Sequence, residues 1–454
     1  MRVGVLTTSY PRHADDWAGG FVAELARWLA REGDALEVLA PTPASDSTPG
    51  VRVRPLRYAR TPRLCYGAGA PDNLLGAGDW GGRAAAWAQL PAFVGRLAAA
   101  SWWHARRWDA VVSHWLLPAG LVGARLARGR PHLAIAHSSD VHLLRRLPQA
   151  RWLLRALARP RSALVLTSAA LRPPLLAVAR DATSRRWVER APVVPMGVAP
   201  PAWLEAERAL GRPRAVGAPL RVLYIGRLIA LKGVDLLLQA CAGLPCALTV
   251  VGDGPERSTL EALAARHAVA ADFVGQQAVP SKWRALLAAD VLVLPSRVLP
   301  DGRTDSAPVT LIEALLAGVP VVAAAVGGVA PLLEAGACGL LVPPEQPLAL
   351  RAALQRLHGD AALGAPLVAA GRRRAGTSRG IAWVRGSGRC SPRSKQGHVE
   401  HDPSRRAALR LCSGALVPAR TFRSGARRAL PSGRLVLHAT LFRPLSGRLC
   451  IAVG

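Results

Sequence analysis

Residues 221–240 read RVLYIGRLIALKGVDLLLQA, residues 250–256 VVGDGPE, residues 301–333 DGRTDSAPVTLIEALLAGVPVVAAAVGGVAPLL and residues 339–344 GLLVPP. The recurring pattern is an apolar run of strand length, a turn marked by glycine or charge, and a segment with helical spacing. Strands that alternate with helices predict βαβ units and a parallel sheet. In such a sheet the loops after the strands are where a phosphorylated ligand binds. Strands are expected at Arg221–Gly226, Ala247–Gly252, Asp272–Gly275, Val291–Pro295, Val319–Ala324 and Gly339–Val342.

The same rhythm runs through the first half. Strands are expected at Arg2–Thr8, Leu36–Ala40, Ala110–His114, Leu133–Ala136, Leu164–Thr167 and Val193–Met196, with helices at Gly20–Arg31 and Ala119–Ala127. The expected class is therefore α/β, with two Rossmann-like domains whose parallel sheets face each other across a cleft. Residues 1–200 make the first domain and 201–371 the second, leaving 372–454 as a basic low-complexity tail.

Composition narrows the class further. Half of the 454 residues are hydrophobic, which argues against overall disorder. The opening MRVGVLTTSYPRHADD lacks a charged segment followed by an apolar one, so no secretory signal is expected. The apolar runs are too short to cross a bilayer, and the expectation is a cytoplasmic chain. Cys65, Cys241, Cys246, Cys338, Cys390, Cys412 and Cys450 show no CxxC pair and read as reduced structural thiols, with no metal site.

The net charge of +30 is uneven, since residues 372–454 alone hold 18 Lys+Arg against 2 Asp+Glu. From Arg372 no helical or strand period is sustained. A shifted reading frame is favoured there over a disordered basic tail. A nucleic-acid partner is disfavoured, because no interleaved aromatics or binding-fold motif supports it. Residues 58–115 hold Trp80, Trp87, Trp102, Trp103, Trp108 and Trp115. Their first reading is packing in the core. Their second is an apolar acceptor surface or a membrane-facing one, since Trp suits a boundary between water and grease.

Several residues at the loop positions carry candidate chemistry. Arg227 follows the first strand of the second half, and Lys232 precedes the helix opened by Gly233; two cations beside a helix N-terminus form a diphosphate clamp. Gly252 lies in a tight GDG turn, read equally as a plain turn or a close approach to ligand. Glu313 falls within the helix after Pro308, among apolar neighbours where a carboxylate needs a partner. Asp305 lies in the preceding loop, within reach of sugar hydroxyls, and the backbone N–H groups near Ser306 and Ala307 could hold a diphosphate or sugar. Gly19 and Gly20, before the first helix, allow close approach of backbone to phosphate. His137 and, as a second candidate, His114 lie at strand ends.

These motifs, in this order over about 120 residues, resemble the donor half of retaining glycosyltransferases of family 4, which have the GT-B fold. The resemblance implies that Arg227 and Lys232 bind the diphosphate, that Glu313 binds the ribose, and that Asp305 is the first acid of the family's pair. The family usually has Glu there, often followed by Gly, where this chain has Asp305 and Ser306. The TSYPRHADDWAGGF, VVSHWLLPAG and AIAHSSDVHLL blocks resemble the family's first half, and His137 matches its active-site histidine. The implied reaction moves a sugar, with retention and without a metal, from a nucleotide-diphosphate donor to a hydroxyl of a glycan or lipid-linked acceptor. The donor is a co-substrate and no cofactor is implied. A peripheral position at an anionic inner membrane face is also implied. Alternatives are another GT-B sugar-nucleotide enzyme such as an epimerase, or a basic membrane- or nucleic-acid-binding protein with an inactive catalytic domain. Inactivity follows if the family's closing helix, expected after Gly371, is missing.

Overall fold

Short runs of Val, Leu, Ile and Ala build two parallel six-stranded sheets. The computed structural model describes residues 1–13, 16–41, 46–67, 69–76, 80–126, 129–211, 214–215, 217–377, 439–442 and 450–453. The first sheet comprises β1 (Arg2–Leu6), β2 (Ala35–Ala40), β3 (Val51–Pro55), β4 (Ala110–His114), β5 (His132–Ala136) and β6 (Ser162–Leu166). The second comprises β7 (Leu220–Ile225), β8 (Cys246–Val251), β9 (Ala271–Gly275), β10 (Val291–Leu294), β11 (Val321–Ala324) and β12 (Leu340–Val342).

The spatial orders are β3-β2-β1-β4-β5-β6 and β12-β11-β10-β7-β8-β9. Both halves thus share the doubly wound topology, whose order reverses between β1 and β4 and between β7 and β10. Crevices form beyond the strand ends at those two reversals.

The first-half helices are α1 (Gly20–Arg31), α2 (Ala70–Leu75), α3 (Trp80–His104), α4 (Leu121–Leu126), α5 (Ser139–Arg146), α6 (Ala150–Leu157), α7 (Arg172–Val178) and α8 (Ala182–Glu189). Those of the second half are α9 (Leu204–Ala209), α10 (Val234–Cys241), α11 (Arg257–Arg266), α12 (Val279–Ala288), α13 (Val309–Ala317), α14 (Val329–Leu332), α15 (Pro347–Gly359) and α16 (Ala361–Thr377). Alternation along β7 shows why both faces need helices. Leu223 and Ile225 join the core that contains Leu311 and Leu315 of α13. Leu220, Val222 and Tyr224 join the opposite core, with Leu237 of α10 and Leu354 of α15.

Two local expectations are corrected and one strand is added. Val193–Met196 forms only a single bridge to Leu166, because Pro192 and Pro195 supply no N–H to extend a ladder. Val51–Pro55 is an additional edge strand beside β2; its exposed Arg52 and terminal Pro55 suit an unpaired edge. The helix expected at Ala119–Ala127 shortens to α4, because an irregular turn at Leu116–Gly120 with a cis Leu117–Pro118 bond precedes it. Cys65, Cys241, Cys246 and Cys338 are buried free thiols.

The pattern does not stop at Gly371. Helix α16 runs on to Thr377 and packs on α13. Ala375 is buried in the core it shares with α13, and Arg374 lies 3.5 Å from Glu334. Met1–Trp383 and Val384–Gly454 are two separate compact units. In the second, β13 (Ala439–Phe442) pairs antiparallel with β14 (Cys450–Val453). The rest of the tail, including any closing helix or shifted frame, lies outside the described residues.

A chain ending at Gly371 should therefore be less stable than one ending at Thr377, by about 1–2 kcal/mol for the lost burial and helix turn. Urea unfolding of the two truncations measures the difference. Equal midpoints would show that residues beyond Gly371 add nothing to this domain.

Candidate active site

Each candidate cation of the second half sits just past β7. Arg227 is held in place by the Tyr224 hydroxyl, which donates to its carbonyl oxygen at 2.9 Å. Lys232 ends a single turn, Ala230–Lys232, ahead of α10. Its Nζ lies 2.5 Å from Asp305 Oδ2, an oxygen that also accepts from the Ser296 hydroxyl at 3.1 Å. Ser296 lies just beyond β10, so the ends of β7 and β10 and the 305–306 loop meet at the sheet's reversal point. Gly327 and Gly328 let that loop lie close, since a Cβ on either would sit within about 2.2 Å of the Asp305 or Ser306 carbonyl oxygen.

Glu313 faces inward from α13 and is only 4% exposed. Lys282 of α12 reaches it, with 2.5 Å between Nζ and Oε1, while Oε2 has no hydrogen-bond partner among the described residues. Burial pushes this carboxyl above its usual range, and the Lys282 charge pulls the other way. A buried carboxylate with one oxygen unsatisfied is poised to accept a hydroxyl donor.

The first half contributes the ends of β4 and β5. His114 Nδ1 and His137 Nε2 are 3.0 Å apart, and the two rings stack at a centroid separation of 5.2 Å. Phe21 and Trp115 lie within 4.9 Å and 4.9 Å of the His137 ring centroid respectively. Burial pushes the His114 imidazole down to about 3, and burial together with His114 holds His137 well below the usual histidine range. Both rings are thus neutral at physiological pH, and one donates to the other. Buried Asp140 fixes this loop, since Oδ1 accepts from the His137 and Ser138 backbone N–H and Oδ2 from that of Leu116. Trp115 and Ser138 adopt positive φ of 67° and 115°. Each such conformation costs about 1–3 kcal/mol in a non-glycine residue and clusters at ligand sites.

The two halves touch through named contacts. Ser306 donates to Ser138 at 2.9 Å, joining the acid loop to the residue after His137. Arg227 Nη2 pairs with Asp72 Oδ2 of α2 at 3.1 Å, and Arg146 pairs with Asp301 at 2.5 Å. The structure therefore links Lys232, Asp305, Ser306 and, through Ser138, the His137 loop, while Arg227 pairs with Asp72 and Glu313 with Lys282. Ala307 lies between that loop and Pro308, which precedes α13.

The glycines fit less simply. Gly19 takes φ of 67°, and a Cβ there would lie 2.5 Å from the Ser9 carbonyl group, so packing requires it. Gly252 takes φ of 131°, and its Cβ would lie 1.9 Å from the Gly226 carbonyl oxygen. Glycine is thus required there for two strand ends to pass closely. Gly20 faces open space.

Sequence reasoning missed Asp72, Ser138, Ser296 and Lys282. The last had an unused signal. Of the 59 basic residues only Lys232, Lys282 and Lys395 are lysines. Two of the three pair with the two acids already singled out.

Residues 211–374 match the family described as glycosyl transferases group 1. D-inositol 3-phosphate glycosyltransferase of Xylanimonas cellulosilytica is 31% identical over 395 residues, covering 81% of this chain and 89% of that protein. The chain belongs to the glycosyl transferases group 1. It is a glycosyltransferase. The chain spans 36% of the length of some other relatives it matches, glycosyltransferases named for colanic acid biosynthesis among them. Sucrose-phosphate synthase from Thermosynechococcus elongatus has TM-score 0.61 at 24% identity, over 84% of this chain and 95% of that one. Anabaena HepE in complex with UDP-glucose has TM-score 0.58 at 20% identity, over 84% and 96%. These structures share the GT-B fold with this glycosyltransferase.

Lys282→Met leaves Glu313 buried without a counter-charge. At neutral pH the variant should lose about 3 kcal/mol of stability. A carboxyl whose folded pKa is raised supplies stability that is present at low pH and lost as pH rises through that value. The gap from the unmodified protein should therefore narrow on acidification, as Glu313 takes a proton. Urea unfolding at neutral and mildly acidic pH reads this directly. A gap that stays constant would assign the loss to packing instead of charge.

Proposed function

We propose that this enzyme is a metal-independent, retaining glycosyltransferase of family 4. It moves a sugar from a nucleotide-diphosphate donor to a hydroxyl of a glycan or lipid-linked acceptor. The observation that carries the donor assignment is Glu313, buried beside the acid loop with one carboxylate oxygen unsatisfied. A ribose supplies vicinal hydroxyls that complete it. Arg227 and Lys232, at the same sheet reversal, supply two positive charges for the diphosphate. The first pairs with Asp72 and the second with Asp305. HepE, of the same fold, is a protein solved with UDP-glucose, and several relatives are named for polysaccharide biosynthesis.

In this reading the bond between the anomeric carbon and the diphosphate oxygen breaks while the acceptor oxygen bonds to the same face. The acceptor proton passes to the departing phosphate. Negative charge grows on the leaving group, where Arg227 and Lys232 stabilise it more in the transition state than in the ground state. His137, neutral and walled by Phe21 and Trp115, can hydrogen-bond the sugar without adding charge. Asp305 and the backbone around Ser306 and Ala307 hold its hydroxyls. The enzyme works in the cytoplasm, at the inner face of the membrane.

Calorimetric titration with a panel of nucleoside diphosphates tests the donor half. Arg227→Ala should weaken binding by about 10–100-fold, the value of a charge-assisted hydrogen bond. Asp72→Asn should act in the opposite direction. It removes the carboxylate that competes for Arg227, and should tighten binding by about two- to fivefold, as expected for a half-exposed ion pair. Glu313→Ala should abolish most turnover with the sugar donor that the panel identifies. Unchanged turnover in that variant would remove Glu313 from the site. An inverted product anomer by NMR would overturn the retaining assignment.

A further inference from the structure

Helix α3 (Trp80–His104) is 25 residues long, about 36 Å at the usual helical rise. One side of it is anchored. Ala86, Phe93, Leu97 and Ser101 are buried, and they repeat at helical spacing. A surface helix of this kind ordinarily turns a polar face to water. Here the outward face is apolar too. Trp80, Ala84, Trp87, Ala88, Pro91, Ala92, Gly95, Ala99, Trp102 and Trp103 all lie exposed, with Trp80 at 80% and Trp103 at 61%. A stripe running the length of a helix is a large apolar surface, and exposed surfaces of that kind mark contact sites.

The charge around the stripe is of one sign. Between Trp80 and Trp108 there is no Asp or Glu, while Arg83, Arg96, Arg106 and Arg107 fringe the helix. Two guanidinium groups lie against the exposed rings, Arg83 at 4.0 Å from the Trp80 centroid and Arg106 at 5.1 Å from that of Trp102. Trp at both ends with arginines beside it is the pattern of a helix lying in a membrane interface, with rings at headgroup depth and cations on lipid phosphates.

We infer that the outward face of α3 docks on an anionic lipid bilayer. The occupant is selected by charge. A second copy docked on the same stripe by a two-fold axis would set arginines against arginines. The chain's own residues 372–454, with 18 Lys+Arg and 2 Asp+Glu, carry the same sign and offer no charge complement. A bilayer bearing anionic headgroups offers both the apolar depth and the opposite charge. No helix among the described residues is long and apolar enough to cross a membrane, so α3 lies along the surface.

The test uses the full chain with vesicles of phosphatidylcholine, with and without phosphatidylglycerol. Co-sedimentation gives the partition coefficient. Tryptophan quenching by acyl-brominated lipid reports whether indole rings enter the bilayer. The unmodified protein should bind the anionic vesicles and be quenched by them. Trp80→Ser combined with Trp103→Ser should lower partitioning by about tenfold and remove most of the quenching. Arg96→Glu, which keeps every Trp, should weaken binding to anionic vesicles alone. Unchanged thermal midpoints in both variants exclude a folding defect. Vesicle binding without quenching in the unmodified protein would assign attachment to the basic tail and overturn the proposal. A dimer in sedimentation velocity that the Trp variant dissolves, with vesicle binding unaffected, would overturn it in favour of a second copy.

Discussion

A carboxylate stays ionised inside a protein only beside a cation or several hydrogen-bond donors. This site is organised by that constraint. Glu313 faces inward from an otherwise apolar helix, and Asp305 closes the loop before it; each is met by a lysine at 2.5 Å. The lysines come from different elements, the turn after β7 and helix α12. Two ion pairs therefore tie together the strand end, the acid loop and two helices of the second half. Asp140 plays the corresponding part in the first half. Among the described residues no cation pairs with it, and the backbone N–H groups of Leu116, His137 and Ser138 satisfy it instead. The His137 loop is built around buried Asp140, and the acid loop around half-buried Asp305.

The link between them is short-range. Ser138, in a strained left-handed conformation, accepts a hydrogen bond from Ser306. The histidine loop and the acid loop thus share a direct contact. Arg227 crosses in the other direction to Asp72. That half-exposed pair joins the strand end after β7 to helix α2 of the first half.

Most of the fold was legible because buried parallel strands are continuous apolar runs, and strand ends are punctuated by glycine or charge. β4, β5, β10 and β11 are buried throughout, and all four were placed within two residues. The misses have physical causes. β3 alternates Val and Arg because it is an edge strand, and so lacks the apolar run that marks its neighbours. Val193–Met196 has the right composition, but its two flanking and internal prolines deny it a ladder. At the site, the residues marked by a local motif were the ones singled out: Arg227, Lys232, Asp305, Glu313 and His137. Asp72 and Lys282 were not, because what defines each is a partner distant in sequence. The six tryptophans of residues 58–115 divide, with Trp108 and Trp115 in the core and four on the exposed face of α3. Composition alone held no information on that division.

Lys282 was the one hidden residue that sequence could still have revealed. This chain uses arginine for nearly every positive charge, and lysine at only three positions. Arginine presents a broad planar fork, whereas lysine places a compact charge at the end of a slim, flexible stem. A guanidinium facing Glu313 would tend to occupy both carboxylate oxygens and leave none for a ligand. The ammonium of Lys282 engages Oε1 and leaves Oε2 open. Lys232 does the same on Asp305, contacting Oδ2 alone. At two of the three lysines in a chain so strongly biased to arginine, the smaller cation thus meets one oxygen of its partner acid and leaves the other clear of the ammonium.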